Sequence, residues 1–320
     1  MFEEKDLLLE ARHIGRRFST SDGRSFWANR DVNLKFYRGQ TTGIVGESGC
    51  GKSTFMRIMV QLDRPTEGEI FFRGRNITTI RGKELRENRR HIQMVFQDPY
   101  AAFNPRMKIK DIICEPLFNF GLIKKREKDA VAKQLLQMVE LPEELSDRYP
   151  YNMSGGQRQR VAIARAIALK PEVIMCDEAT AALDVSVQKN IVELLIKLQK
   201  ETQMSIGFIC HDIALVSQIS HQVAVMYLGN IVEILPAVHM KEEARHPYTK
   251  MLLQSVFDLS MDFTKKIETI EGDSVSLLDI PAGCPFQNRC GLRKNICKWQ
   301  RPEWKEITPY HHVACHLYSK

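Results

Sequence analysis

The stretch TTGIVGESGCGKSTFMRIMVQL (41–62) decides how the rest of the chain is read. A short apolar strand, TTGIVG (41–46), ends at glycine, and residues 53–62 carry apolar side chains at helical spacing. Between them GESGCGKST (46–54) fits G-x-x-x-x-G-K-[ST] in the strand–loop–helix setting that the pattern requires. Glycines let backbone N–H groups turn inward around phosphates, and a helix N-terminus adds a dipole that favours negative charge. Gly46, Glu47, Ser48, Gly49, Cys50, Gly51, Lys52, Ser53 and Thr54 are therefore candidate nucleotide-binding residues. Lys52 would reach the β- and γ-phosphates as a point charge, and Ser53 would offer its hydroxyl to Mg²⁺.

Composition bounds what surrounds this loop. The chain has 320 residues, 43% hydrophobic and 27% charged, which suits a globular protein of one large domain plus an appendage. No apolar run reaches the length of a membrane-spanning helix, and MFEEKDLLLEARHIGRRF lacks the basic-then-apolar order of a signal peptide. The net charge is +7, with the densest basic stretches at GRNITTIRGKELRENRR (74–90) and KKREK (124–128). These read as solvated helix faces, with lipid headgroups as the alternative contact.

Strand patterns occur at 7–14, 30–36, 67–74, 172–178, 204–212 and 222–234. Helical patterns run from about 104 to 150, then over 156–169 and 187–201. Their alternation predicts an α/β core with mostly parallel strands, and the block at 104–170 sits as an insertion. After about residue 240 the alternation is expected to stop, and the polar stretch 261–280 reads as a linker or wrapping segment.

Two further motifs carry chemistry. VIMCDE (173–178) is an apolar strand ending in two carboxylates: Asp177 suits a Mg²⁺ contact through water, and Glu178 could polarise an attacking water. MSGGQRQRVAIARAI (153–167) places Ser154, Gly155 and Gly156 before a helix, a second N-terminus able to accept phosphate. One complete phosphate loop with two anion cradles points to a nucleotide shared with a partner chain.

The motifs GESGCGKST, FQDP, MSGGQ, VIMCDE, AALD and CHD, in this order, resemble the ATP-binding subunit of an ABC transporter over roughly residues 7 to 320. The resemblance implies an α/β fold: an ABC-type P-loop ATPase core with an antiparallel β subdomain and a helical subdomain (about 98–168). It implies ATP and Mg²⁺ as cofactors. Glu178, His211 and Gln97 become the catalytic candidates, with Mg²⁺ held through Ser53, Gln97 and Asp177. Ser154, Gly155, Gly156, Gln157 and Asp184 would serve an ATP held in trans. Phe18 is the best match for the aromatic that stacks on adenine, with Phe26 and Trp27 as alternatives and core packing open for each. The chain departs from the family at Ala179 and Ala181, at Met153 and at Cys210, and no departure removes a phosphate-contacting group.

FQDPYAAFNPRM (96–107), RHPYTKMLLQSV (245–256) and PAGCPFQNRC (281–290) resemble the oligopeptide/dipeptide/nickel importer branch, in the subunit conventionally lettered F. Cys284, Cys290, Cys297 and Cys315 are separated by five, six and seventeen residues. Four thiolates can bind zinc or an iron–sulfur cluster, and the spacing lacks the C-x₂-C pairs of a zinc ribbon. The resemblance implies a [4Fe–4S] cluster; Zn²⁺ and free or redox-paired thiols stay open.

The expectation is thus a nucleotide-binding domain over 1–240 and a C-terminal Cys-rich extension over 241–320. The implied partners are a sister ABC ATPase, two transmembrane permeases docked near Gln97 to Leu117, and an extracytoplasmic substrate-binding protein, with no nucleic acid. The implied place is the cytoplasmic face of the membrane, as a peripheral subunit. Peptides are the expected cargo, with nickel or a metal chelate as the alternative. A single cassette without a heptad run disfavours a soluble ATPase of translation or repair.

Overall fold

A computed structural model describes residues 6–179, 183–210, 212–254 and 276–319. The strands are β1 (Leu7–Ser19), β2 (Ser25–Tyr37), β3 (Thr41–Val45), β4 (Glu67–Phe72), β5 (Arg75–Asn76), β6 (Ile92–Val95), β7 (Val173–Asp177), β8 (Ser205–Ile209), β9 (Gln222–Tyr227), β10 (Asn230–Pro236), β11 (Trp304–Thr308) and β12 (His311–Ala314). The α-helices are α1 (Lys52–Met59), α2 (Gly82–His91), α3 (Ile109–Asn119), α4 (Lys128–Met138), α5 (Gly155–Ile167), α6 (Val185–Thr202), α7 (Ile213–Ile219), α8 (Met240–Glu243) and α9 (Pro247–Gln254). None of them is long and apolar enough to cross a membrane. The described residues group into two compact units, one drawn from 1–35, 42–78 and 211–320, the other from 36–41 and 79–210.

In the first unit β2, β1, β4 and β5 form an antiparallel sheet in that order. Leu9 pairs with Phe72 and Ala11 with Ile70, and all four side chains are buried. β3 runs parallel to β9, from Thr42 opposite Gln222 to Val45 opposite Val225. Every residue of both strands is buried, as expected of strands covered on both faces. β9 continues antiparallel into β10, β10 into β12, and β12 into β11.

One expectation changes here. The segment 222–234, read as one strand, is the β9–β10 hairpin, turning at Leu228 (φ +44°) and Gly229 (φ +78°). A leucine in a left-handed turn position carries none of the Asn-Gly signal that marks such hairpins. After residue 240 the strand–helix alternation does stop: among the described residues α8 and α9 are followed by the β11–β12 hairpin, which extends the sheet beyond β10. Residues 255–275, most of the expected linker, lie outside the described residues.

Glu233 of β10 is fully buried and ties these C-terminal elements together. Its carboxylate accepts the N–H groups of Arg245 (2.7 Å) and His246 (3.1 Å) and contacts His311 Nε2 of β12 (2.8 Å). A buried carboxylate is tolerated because each oxygen is hydrogen-bonded.

In the second unit β6, β7 and β8 are parallel neighbours, with Val95 opposite Cys176 and Asp177 opposite Ile209. Between β6 and β7 the chain forms α3, α4 and α5, which pack through Ile109, Ile112, Leu117, Leu136 and Val161. Lys128–Asp111 (2.6 Å) joins α4 to α3, and Arg165–Glu115 (2.7 Å) joins α5 to α3. α2 escapes the periodicity reading because it buries no residue and so has no apolar stripe.

Candidate functional site

The phosphate-loop candidates leave β3 and enter α1 within the first unit. Gly46 has φ +153° and Gly51 has φ +103°, conformations that L side chains rarely adopt. A Cβ on Gly46 would stand 2.1 Å from the Met226 carbonyl oxygen, and one on Gly51 the same distance from that of Ala28. The loop backbone is thus pressed against its neighbours at both ends, where only glycine fits. Lys52 is buried at the first position of α1, and its Nζ donates to the carbonyls of Gly46 (2.8 Å) and Glu47 (2.9 Å). Asn29 Nδ2 donates to the Gly51 carbonyl (3.0 Å) and steadies the loop's exit. Ser48 and Gly49 are exposed, Cys50 is buried, and Ser53 and Thr54 are half-buried in the first turn of α1.

Of the candidate adenine aromatics, Phe18 and Phe26 stand together, ring centroids 5.9 Å apart, with the Arg16 guanidinium 4.7 Å from the Phe18 ring. Trp27 instead covers Gly15, where a Cβ would approach its ring to 2.9 Å. All three rings are half-buried.

In the second unit Asp177 is buried at the end of β7. Glu178 follows at φ +47°, a strained position for a non-glycine residue, and its N–H donates to the Ile209 carbonyl (3.1 Å). This turn brings the Glu178 carboxylate to Gln97 beyond β6, whose Nε2 donates to Oε2 at 2.7 Å. Two residues that the sequence separates by eighty-one positions are therefore in contact.

The SGGQ segment caps α5. Gln157 N–H donates to Ser154 Oγ (3.3 Å) and Ser154 N–H to Gln157 Oε1 (3.0 Å), a reciprocal capping box. Added Cβ atoms on Gly155 and Gly156 would stand 3.2 Å from Leu183 and 2.7 Å from Val187. The glycines therefore also allow the α5 N-terminus to approach the start of α6, a packing reason that the sequence did not reveal. Asp184 is the N-cap of α6. His211, with Ala181 and its two neighbours Thr180 and Ala182, lies outside the described residues.

Cys284, Cys290, Cys297 and Cys315 line one small cavity with His246 and His316 among its walls. None of the eight cysteines is in a disulfide. Burial, with a smaller contribution from the three neighbouring thiols, pushes the Cys284 thiol up to about 12, and burial also raises Cys290 and Cys315. Among the described residues no group of three or more His, Cys, Asp or Glu is disposed to hold a metal ion. The four cysteines of the expected metal site share a cavity but are not disposed as such a group.

The family model for "ABC transporter" matches residues 29–181, and that for "Oligopeptide/dipeptide transporter, C-terminal region" matches residues 232–297. The chain is 43% identical to the oligopeptide transport ATP-binding protein OppF of Haemophilus influenzae, over 97% of each chain. It is also 43% identical to the oligopeptide transport ATP-binding protein AppF of Bacillus subtilis, over 98% of each. Among solved structures it is similar to the bacterial ABC transporter cassette MJ0796 in its dimeric, ADP- and Pi-bound post-hydrolysis state. That likeness has a TM-score of 0.66 at 30% identity and covers 72% of this chain and 99% of that one. The two units thus carry the mixed α/β fold of an ABC ATPase cassette, and the chain belongs to the ABC transporter ATP-binding family, in its oligopeptide/dipeptide branch.

Proposed function

We propose that this chain is the ATP-hydrolysing subunit that energises import of peptides through an ABC transporter. The observation that carries the reading is the Gln97–Glu178 contact at the end of the buried strand β7, in a chain whose phosphate loop tolerates no side chain at Gly46 or Gly51. Residues 1–240 serve as the nucleotide-binding domain, with the helical subdomain at about 98–168, and 241–320 as the C-terminal extension.

Residues 46–54 bind the phosphates of ATP, with Lys52 offsetting their charge, and Phe18 stacks on adenine. Ser53, Gln97 and Asp177 would hold Mg²⁺, which neutralises charge on the β- and γ-phosphates when bound. Glu178 accepts the proton of the attacking water, and its left-handed backbone aims the carboxylate at Gln97, which orients it. His211 contacts the γ-phosphate. Ser154, Gly155, Gly156, Gln157 and Asp184 serve the ATP of a sister ATPase, so that ATP binding closes the pair and hydrolysis reopens it. Two permeases dock near Gln97 to Leu117, a binding protein delivers cargo, and the subunit lies peripherally on the cytoplasmic face of the membrane. Peptide cargo is favoured over nickel or a metal chelate because the named relatives are oligopeptide transport proteins.

Cys284, Cys290, Cys297 and Cys315 would hold a [4Fe–4S] cluster as a staple for the extension. Four cysteines around one cavity are a donor set that a cluster or a zinc ion could take, and the resemblance to the importer branch is what favours the cluster. Iron, zinc and acid-labile sulfide assays after anaerobic purification test this. A folded, metal-free chain would rule out both metals.

The function as a whole is tested by recovering the tagged chain from detergent-solubilised membranes. Two permeases and a sister ATPase are the expected companions. Ribosomal or repair proteins without any membrane protein would point instead to a soluble ABC ATPase.

A further inference from the structure

Glu47, the second residue of the phosphate loop, is held by two residues of the C-terminal segment. Its carboxylate makes a two-pronged pair with Arg289: Nη1 to Oε2 and Nη2 to Oε1, both 2.9 Å. The Arg289 side chain is 7% exposed and that of Glu47 34%, so the pair is partly shielded rather than a loose surface contact. The Glu47 N–H donates to the hydroxyl of Tyr248, which is fully buried. Both holding residues are fixed in turn. Tyr248, Tyr227 and Phe286 form one aromatic cluster, with ring centroids 4.6 to 5.4 Å apart. The Arg289 guanidinium lies over Tyr227. Phe286 and Arg289 both lie between Cys284 and Cys290 in the chain.

We infer that Arg289 and Tyr248 are positioning residues for the phosphate loop, and that through them the cysteine-bearing segment sets the affinity for ATP. The inference rests on reading residues 46–54 as the ATP phosphate loop. Lys52 Nζ donates to the Gly46 and Glu47 carbonyls, and an arriving phosphate competes with these acceptors. A loop pinned at the Glu47 peptide and carboxylate keeps its shape when Lys52 turns to the phosphate, so less ordering opposes binding. Released from Arg289 and Tyr248, the loop must be ordered by the nucleotide itself. Neither residue touches ATP in this scheme; both act through Glu47.

The test is isothermal titration of the full-length protein with Mg·ATP, alongside thermal melting without nucleotide. Arg289→Gln is expected to weaken ATP binding about tenfold, the scale of one charge-assisted hydrogen bond lost at a partly shielded site, and Arg289→Lys to recover part of the loss. Tyr248→Phe, which removes only the hydroxyl, is expected to weaken binding about threefold and serves if Arg289→Gln does not fold. Glu47→Gln combined with Arg289→Gln should be little worse than the stronger single variant, since both break the same contact. Variants that melt earlier but bind Mg·ATP as tightly as wild type would overturn the positioning role and leave the two residues as structural only. Wild-type protein that does not bind Mg·ATP would instead remove the phosphate-loop reading on which the inference stands.

Discussion

The phosphate loop and the C-terminal segment are fixed by opposite means. Around residues 46–51 the backbone is the constraint: Gly46 and Gly51 hold positive φ with neighbouring carbonyls where a Cβ would go. Beyond β10 the constraints are buried side chains: Glu233 binding two N–H groups and His311, Arg289 gripping Glu47, and Tyr248 under the loop. A backbone-fixed site advertises itself in sequence through glycine spacing. A side-chain-fixed segment does not, because its partners come from distant positions. The function we propose needs both, since the first presents backbone donors to phosphate and the second holds that presentation still.

Substitutions that strike one region and spare the other sharpen this contrast. The largest effect is expected for chemistry rather than structure. Glu178→Gln should bind ATP yet hydrolyse it roughly 10²- to 10⁴-fold more slowly in the assembled complex, the range for loss of a general base. Near-normal turnover there would take the base role from Glu178. Gly46→Ala comes next, expected to cost about 3 kcal/mol by urea unfolding, from positive-φ strain plus the clash with Met226. Unchanged stability would mean that the loop is not backbone-fixed. Glu233→Gln should cost about 2 kcal/mol, because the neutral amide oxygen can replace only part of the hydrogen bonding to Arg245, His246 and His311. If instead Glu233→Gln were neutral, the C-terminal elements would be held by apolar packing alone. Trp299→Ser should change stability by less than about 0.5 kcal/mol, since the ring is 76% exposed. A large loss would reveal a contact made by residues outside those described.

Legibility in the sequence followed the same divide. TTGIV and VIMCD read as buried strands because each is a short, mostly apolar segment rich in β-branched residues, and the glycines of GESGCGKST announced the turn between strand and helix. The resemblance gave Gln97 and Glu178 separate roles, but their contact was not legible, because parallel pairing of β6 with β7 is what brings the two residues together. The sequence reading of Gly156 was as part of a phosphate cradle, whereas its clearance for Val187 depends on where α6 begins. The β9–β10 hairpin was hidden by a leucine at a turn position that usually advertises itself with asparagine or glycine. Arg289 and Tyr248 stood in plain view within PFQNRC and HPYT, but no periodicity or spacing connects either to Glu47, 242 and 201 residues earlier.

The central claim, that this chain drives peptide import by hydrolysing ATP, is tested most directly in proteoliposomes carrying the complete transporter with ATP enclosed on the side of this subunit. Radiolabelled oligopeptide should accumulate, driven by ATP, across the membrane toward that side with the wild-type chain, and fail to accumulate with Glu178→Gln. Equal accumulation with both chains, or movement only in the outward direction, would contradict the account.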